Sequence, residues 1–205
     1  VVTTLDMKGN SVLTLDKSLL IINKKMTSVT DSHVVLIKGE LTINANDAIM
    51  GKMSVKQSSK VTMKDVVMRG KLDVDDSEMN LRTISMNSGV EIRGTGWVSV
   101  DEWMRTNKGV TLSGRIMVGL TINAQERIVL KTGGQIKAKE ISGNLVIIGK
   151  EVTLDIRTLI KGSVSMNTAA RWRVMHAITV NEKVAGDGGE LKVDAALYTS
   201  RMTMV

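Results

Sequence analysis

The sequence predicts an all-β fold, a single β-solenoid (parallel β-helix) of about ten rungs with about 19 residues in each, spanning residues 1–205 as one domain. Three observations predict it. Pairs of apolar residues separated by one residue recur at a nearly constant step. No helical period is sustained beyond two turns, and the best short stretch, Val100 to Arg105, is too brief to count. The residue types that stacked rungs tolerate poorly are missing: the chain has no Pro and no Phe, and aromatic residues make up 2%.

The pairs come in chain order. Leu13/Leu15, Val34/Leu36, Met53/Val55, Leu72/Val74, Val90/Ile92, Val110/Leu112, Ile128/Leu130, Leu145/Ile147 and Val164/Met166 start 17 to 21 residues apart. Between them lie Leu41/Ile43, Val61/Met63, Ile84/Met86, Val98/Val100, Ile116/Val118, Leu120/Ile122, Ile136/Ala138 and Val152/Leu154, so each rung holds two or three short strands with their apolar residues inward. Val174 to Val184 alternates and reads as a further strand. The corners between strands carry turn residues, as in Lys38-Gly39, Arg69-Gly70, Ser88-Gly89, Thr132-Gly133-Gly134, Ser142-Gly143-Asn144 and Lys161-Gly162.

Composition follows from the same physics. In a coiled solenoid each strand pairs with the rung on either side, and a Pro in a rung interior deletes a ladder bond. A narrow interior takes Val, Ile, Leu and Met more readily than large rings, and the 14 Met residues are adaptable filler between aliphatic rows. The rival fold is an antiparallel β-sandwich or jelly roll, which also gives many short strands but needs no constant step.

Other classes fall away. No apolar run approaches the roughly 18 residues of a membrane helix, and the N-terminus lacks the basic and apolar regions of a signal peptide. The chain does not begin with Met, which reads as a processed, trimmed or partial product. Without Cys there is no disulfide, thiolate metal site or cysteine nucleophile, and with only His33 and His176 no multi-histidine centre, so no cofactor is expected. A cytoplasmic setting is favoured over an extracellular or virion-surface one.

The stretch Ile128-Val129-Leu130-Lys131-Thr132-Gly133-Gly134-Gln135-Ile136-Lys137-Ala138-Lys139, continuing through Ile141 to Val164, resembles the bactofilin-type β-helix of polymer-forming bacterial cytoskeletal proteins. The likeness is one of pattern, over residues 34–166, with no diagnostic motif; this chain has more rungs, fewer Gly and no Phe. Haemagglutinin-like adhesin repeats are similar to it almost as closely. The first resemblance implies a self-assembling filament protein, the second a surface-exposed binding module.

Net charge is +7 and unevenly spread. Residues 104–173 hold twelve Lys/Arg against four Asp/Glu, whereas 73–102 hold seven acidic residues against two basic. The basic zone offers Arg115, Arg127, Lys131, Lys137, Lys139, Lys150, Arg157 and Lys161 to a polyanion, namely anionic lipid, nucleic acid or acidic polysaccharide. Trp172, between Arg171 and Arg173, is a candidate contact anchor. Asp73 and Asp75 share the outward side of one strand, a pair suited to Ca²⁺ or to acid–base work on a glycan, although a solvated face demands the same residues. Gly186-Asp187-Gly188-Gly189-Glu190 reads as a turn, and the two His lack catalytic surroundings in sequence.

A solenoid's last rungs expose strand edges that template pairing unless capped. The final strand, with Leu197, Tyr198, Met202 and Met204, carries no capping helix and is the candidate self-association element. The leading expectation is therefore a non-enzymatic structural protein that self-assembles into homo-oligomers, filaments or a scaffold through its terminal rungs. The alternative is an adhesin passenger fragment, or a viral or phage fibre or coat component, binding a polyanion or glycan.

Overall fold

The computed structural model describes residues 1–205. Its 23 strands join into one sheet, and no segment is helical. Strands stack in parallel about 19 residues apart through about 11 turns, one more than the repeat predicts. Sandwich and jelly-roll alternatives require antiparallel neighbours, whereas the pairings along the whole coil are parallel. At about 4.8 Å per turn the rod is roughly 50 Å long.

Each turn has three faces. The first runs through Leu19–Ile22, Glu40–Ile43, Trp97–Val100 and their counterparts. The second runs through Ala48–Met50, Trp103–Thr106 and Thr158–Ile160. The third contains the nine pairs that carry the sequence repeat: Leu13, Val34, Met53, Leu72, Val90, Val110, Ile128, Leu145 and Val164 form a single inward column. Numbered along the chain, turn 3 is residues 40–56, turn 4 is 60–75, turn 5 is 78–93 and turn 6 is 97–112. Turn 7 is 115–130, turn 8 is 135–147, turn 9 is 152–166, turn 10 is 171–186 and turn 11 is 190–204.

Alternation puts one row of every strand inside, and these rows merge into one core of 52 buried apolar residues. Two readings of the alternation need correction. Leu120 is not paired inward with Ile122 but is 47% exposed, because the register shifts between Val118 and Thr121 and turns it out at a corner. Val174 to Val184 is not one strand: Arg171–Val174 ends on the first face, and Ile178–Gly186 starts on the second.

The edge from third to first face is two to four residues long in every turn. Left-handed residues stack along it, among them Lys17, Lys38, Gln57, Ser58, Asp76, Gly94, Gly133 and Glu151. Just beyond them runs the column Ser18, Gly39, Ser59, Ser77, Gly96, Gly114, Gly134. Ser59 Oγ donates to Lys56 O at 2.5 Å and accepts from Gly39 N at 3.2 Å; Ser77 Oγ donates to Asp75 O and accepts from Ser59 N. Further along, glycine replaces serine, and at Gly134 a Cβ would meet Leu112 O at 2.7 Å. From Gly39 to Gly134 the corner thus holds either a hydroxyl that joins two turns or no side chain at all, while the Ser18 hydroxyl, at the exposed end, bonds only Asp16 O of its own turn.

Candidate functional surfaces

Three of the seven carboxylates of the acidic zone, Asp73, Asp75 and Glu91, are paired with cations of a neighbouring turn. Asp73 and Asp75 do face outward together, and Arg93 of the next turn sits against both, at 2.9 Å and 4.0 Å. These carboxylates raise the Arg93 guanidinium above its ordinary value, Asp73 foremost. Lys71 holds Glu91 at 2.7 Å and lowers its carboxyl through that hydrogen bond. Arg82 makes a two-pronged pair with Asp65, whose second partner is Thr83 Oγ1 at 2.7 Å; the Arg82 hydrogen bond is the main cause of Asp65's lowered pKa. Ladder register explains all three, since each pair joins outward positions one turn apart. No group of three or more His, Asp or Glu is placed to hold a metal ion.

His33 lies half-buried on the third face, with Nε2 2.9 Å from Ser54 Oγ of the next turn. Burial first, then the ammonium groups of Lys52 and Lys56, lower its pKa and favour the neutral ring. Ser54 is itself 9% exposed on an outward row of the sheet. His176 is exposed at a corner of turn 10.

The basic zone contrasts with this pairing. All eight candidate cations are exposed, but the coil distributes them over its circumference. Arg115 and Lys137 point out from the first face. Lys139 and Arg157 lie at the edge from first to second face, Lys161 at the edge from second to third, and Arg127 at the start of the third face. Lys131 and Lys150 lie at the edge from third to first face. Lys161 is bound to Glu140 at 2.8 Å, while the other seven make no ion pair.

Trp172 is not a surface anchor. It is 1% exposed and stands in an inward column between Val152 and Leu191, with its neighbours Arg171 and Arg173 pointing out. Alternation accounts for this, because one residue between two outward arginines must face in. The indole Nε1 has no partner. The exposed tryptophan is Trp103, at 39%.

The final strand, Leu197–Met204, pairs on one side only. Met202 and Met204 extend inward columns, beneath Val184 and Gly186, yet are 48% and 38% exposed. Tyr198 points outward at 60% exposure, and Leu197 packs partly against the core. The opposite end is similar: Leu13 continues the inward column and is only partly buried.

Sequence reasoning missed two exposed apolar residues at corners, Leu120 and Met175, and the cross-turn pairing of Asp73, Asp75 and Glu91. The first depends on a bulge that alternation cannot show; the second was available once register was assigned. Compared with known protein families, curated proteins and solved structures, the chain has no match.

Proposed function

We propose that this protein is a structural, non-enzymatic solenoid that associates with copies of itself through its terminal turns. The observation that carries this is the state of the inward columns at the two ends. Met202 and Met204 at one end, and Leu13 at the other, are built as core positions but covered on one side only. Each also belongs to a strand with one free backbone edge. Every turn has nearly the same cross-section, so a turn of a second copy fits an end turn as turn 10 fits turn 11. The pattern-level resemblance to polymer-forming β-helices points the same way.

Electron microscopy and light scattering of the purified chain, at low and high salt, test this. The expected result is regular filaments or closed oligomers that Met202→Asp with Met204→Asp disperses while circular dichroism stays that of a β-fold. Monodisperse monomers across the whole concentration range would sink the proposal. Salt dependence would add a contribution from the unlike charge zones.

A second reading is favoured by the seven unpaired cations between Arg115 and Arg157: a binding module for a polyanion. Retention on an anionic resin, lost on charge reversal at these positions, is its test.

A further inference from the structure

Along turns 6 to 10 the molecule exposes only three large apolar side chains: Trp103 at 39%, Leu120 at 47% and Met175 at 50%. All three stand on one edge. Trp103 opens the second face in turn 6, Leu120 occupies the bend between first and second faces in turn 7, and Met175 occupies the same bend in turn 10. Unpaired cations occupy that edge between them. Lys137 and Lys139 lead into the bend in turn 8, and Arg157 closes it in turn 9. At about 4.8 Å per turn, the strip from Trp103 to Met175 is roughly 19 Å long.

Chance scatter of exposed apolar residues is ordinary, but here the other edges and faces of the same turns carry none. Nor does the fold require Leu120 and Met175, because a corner position facing water accepts a polar residue, and Trp103 stands on the outward row of its strand. Acidic groups bound the strip: Asp101 and Glu102 lie at its turn 6 end, and Asp155 precedes Arg157. Lys137, Lys139 and Arg157 outnumber the two acids of turns 7 to 9 here, Asp155 and Glu140, and Glu140 is already paired with Lys161.

We infer that this edge docks on an anionic lipid surface, with Trp103, Leu120 and Met175 entering the headgroup region and Lys137, Lys139 and Arg157 facing acidic headgroups. Apolar tips interleaved with basic residues, with an indole at the boundary, match the chemistry of that interface. Nucleic acid would engage the cations but has no use for Leu120 and Met175, and the strip has no run of aromatic side chains for base stacking. The docked rod lies along the surface on this edge, leaving both end turns free. The inference sharpens the polyanion-binding reading and is independent of self-assembly.

Vesicle sedimentation tests it, with a no-vesicle control to subtract self-assembled material. The probes are vesicles of phosphatidylcholine alone and of phosphatidylcholine with phosphatidylserine. The chain is expected to pellet with the mixed vesicles only, and to be released by salt. Leu120→Ser with Met175→Ser should weaken binding roughly tenfold, and Lys137→Glu, Lys139→Glu and Arg157→Glu together should abolish it. All five positions are exposed or at corners, and circular dichroism checks that the fold is kept. A blue shift of tryptophan emission on vesicle addition, lost in Trp103→Leu, gives an independent readout. Failure to pellet overturns the inference. So does pelleting indifferent to Leu120→Ser with Met175→Ser, which would mean adsorption by charge alone. Retention on DNA or heparin without vesicle binding would leave the polyanion reading standing and remove the lipid.

Discussion

Turns 3–6 and turns 7–8 build the same three-faced coil from different materials. The interior of turns 3–6 contains Met50, Met53, Met63, Met68, Met79, Met86 and Met104, none more than 3% exposed. The interior of turns 7–8 contains no Met; it is Ile116, Val118, Ile122, Ala124, Ile128, Leu130 and their counterparts in turn 8. Outside, Lys71, Arg82 and Arg93 of turns 3–6 are tied to carboxylates one turn away, whereas Arg115, Arg127, Lys131, Lys137 and Lys139 of turns 7–8 make no ion pair. Strand continuity differs too. Arg115–Leu130 and Gln135–Ile147 are strands of 16 and 13 residues that run through both bends, with a register shift between them at each, while Lys60–Met68 and Glu78–Met86 of turns 4 and 5 pair through the first bend without a shift and end before the third face. An unbranched thioether adapts to its surroundings where a branched side chain, stiff at χ1, does not. Turns 7–8 carry the middle of the proposed docking edge.

The largest effect that would separate the two segments is in the core. Ile136→Ala in turn 8 should cost about 4 kcal/mol, near the upper end for such truncations, because its neighbours Ile116 and Leu154 cannot reshape to fill the void. Met68→Ala in turn 4 should cost about 2–3 kcal/mol, because Met50 and Met86, directly above and below, can relax into the space. Urea unfolding of both variants measures the difference; equal losses would show that the methionines are as tightly constrained as the aliphatic residues.

A smaller effect is expected at the corner column. Ser59→Ala removes an acceptor from Gly39 N and a donor from Lys56 O at a position 1% exposed, so about 1–3 kcal/mol should be lost. Gly134, the same column in turn 8, has no hydroxyl to lose; a Cβ there meets Leu112 O instead, and Gly134→Ser should destabilise rather than add a bond. If Gly134→Ser were neutral, the two corner solutions would be interchangeable and the contrast between the segments would narrow.

Much of this fold was legible in the sequence because one face keeps its period. The third face has a pair of inward apolar residues in every turn from Leu13/Leu15 to Val164/Met166, and no bulge interrupts their spacing. The other two faces were less legible. Their corner varies in length, from Lys139 alone in turn 8 to Asn44-Ala45-Asn46-Asp47 in turn 3, so alternation cannot be carried across it. Leu120 was assigned inward for that reason. Trp172 went the other way: its arginine neighbours drew attention to it, although those same neighbours, pointing out, force the ring in. The grouping of exposed apolar residues on one edge is a property of stacking, and no linear pattern announces it.

Acid should expose the charge difference between the segments, with the smallest effect. Asp65 and Glu91, in turns 4 and 5, have carboxyls held below the ordinary range chiefly by hydrogen bonds from Arg82 and Lys71. Asp76 is held low by the Thr95 backbone N–H. A carboxylate whose folded pKa is depressed contributes stability that is fully present above its unfolded value, about 4, and is lost as pH falls through the folded value. Acidification from neutral pH should therefore leave turns 4–5 unchanged until about pH 4, then loosen them. The cost per pair should be about 1 kcal/mol or less, since Arg82 and Lys71 remain about half exposed. Amide hydrogen exchange, corrected for intrinsic rate, should show protection falling across residues 60–93 before it falls across 115–147. Arg82→Ala should reproduce the neighbourhood loss at neutral pH, because Asp65 then keeps only Thr83 among its side-chain donors. Were both segments to loosen together under acid, the cross-turn pairs would be bystanders, and the difference between turns 3–6 and turns 7–8 would lie in the core alone.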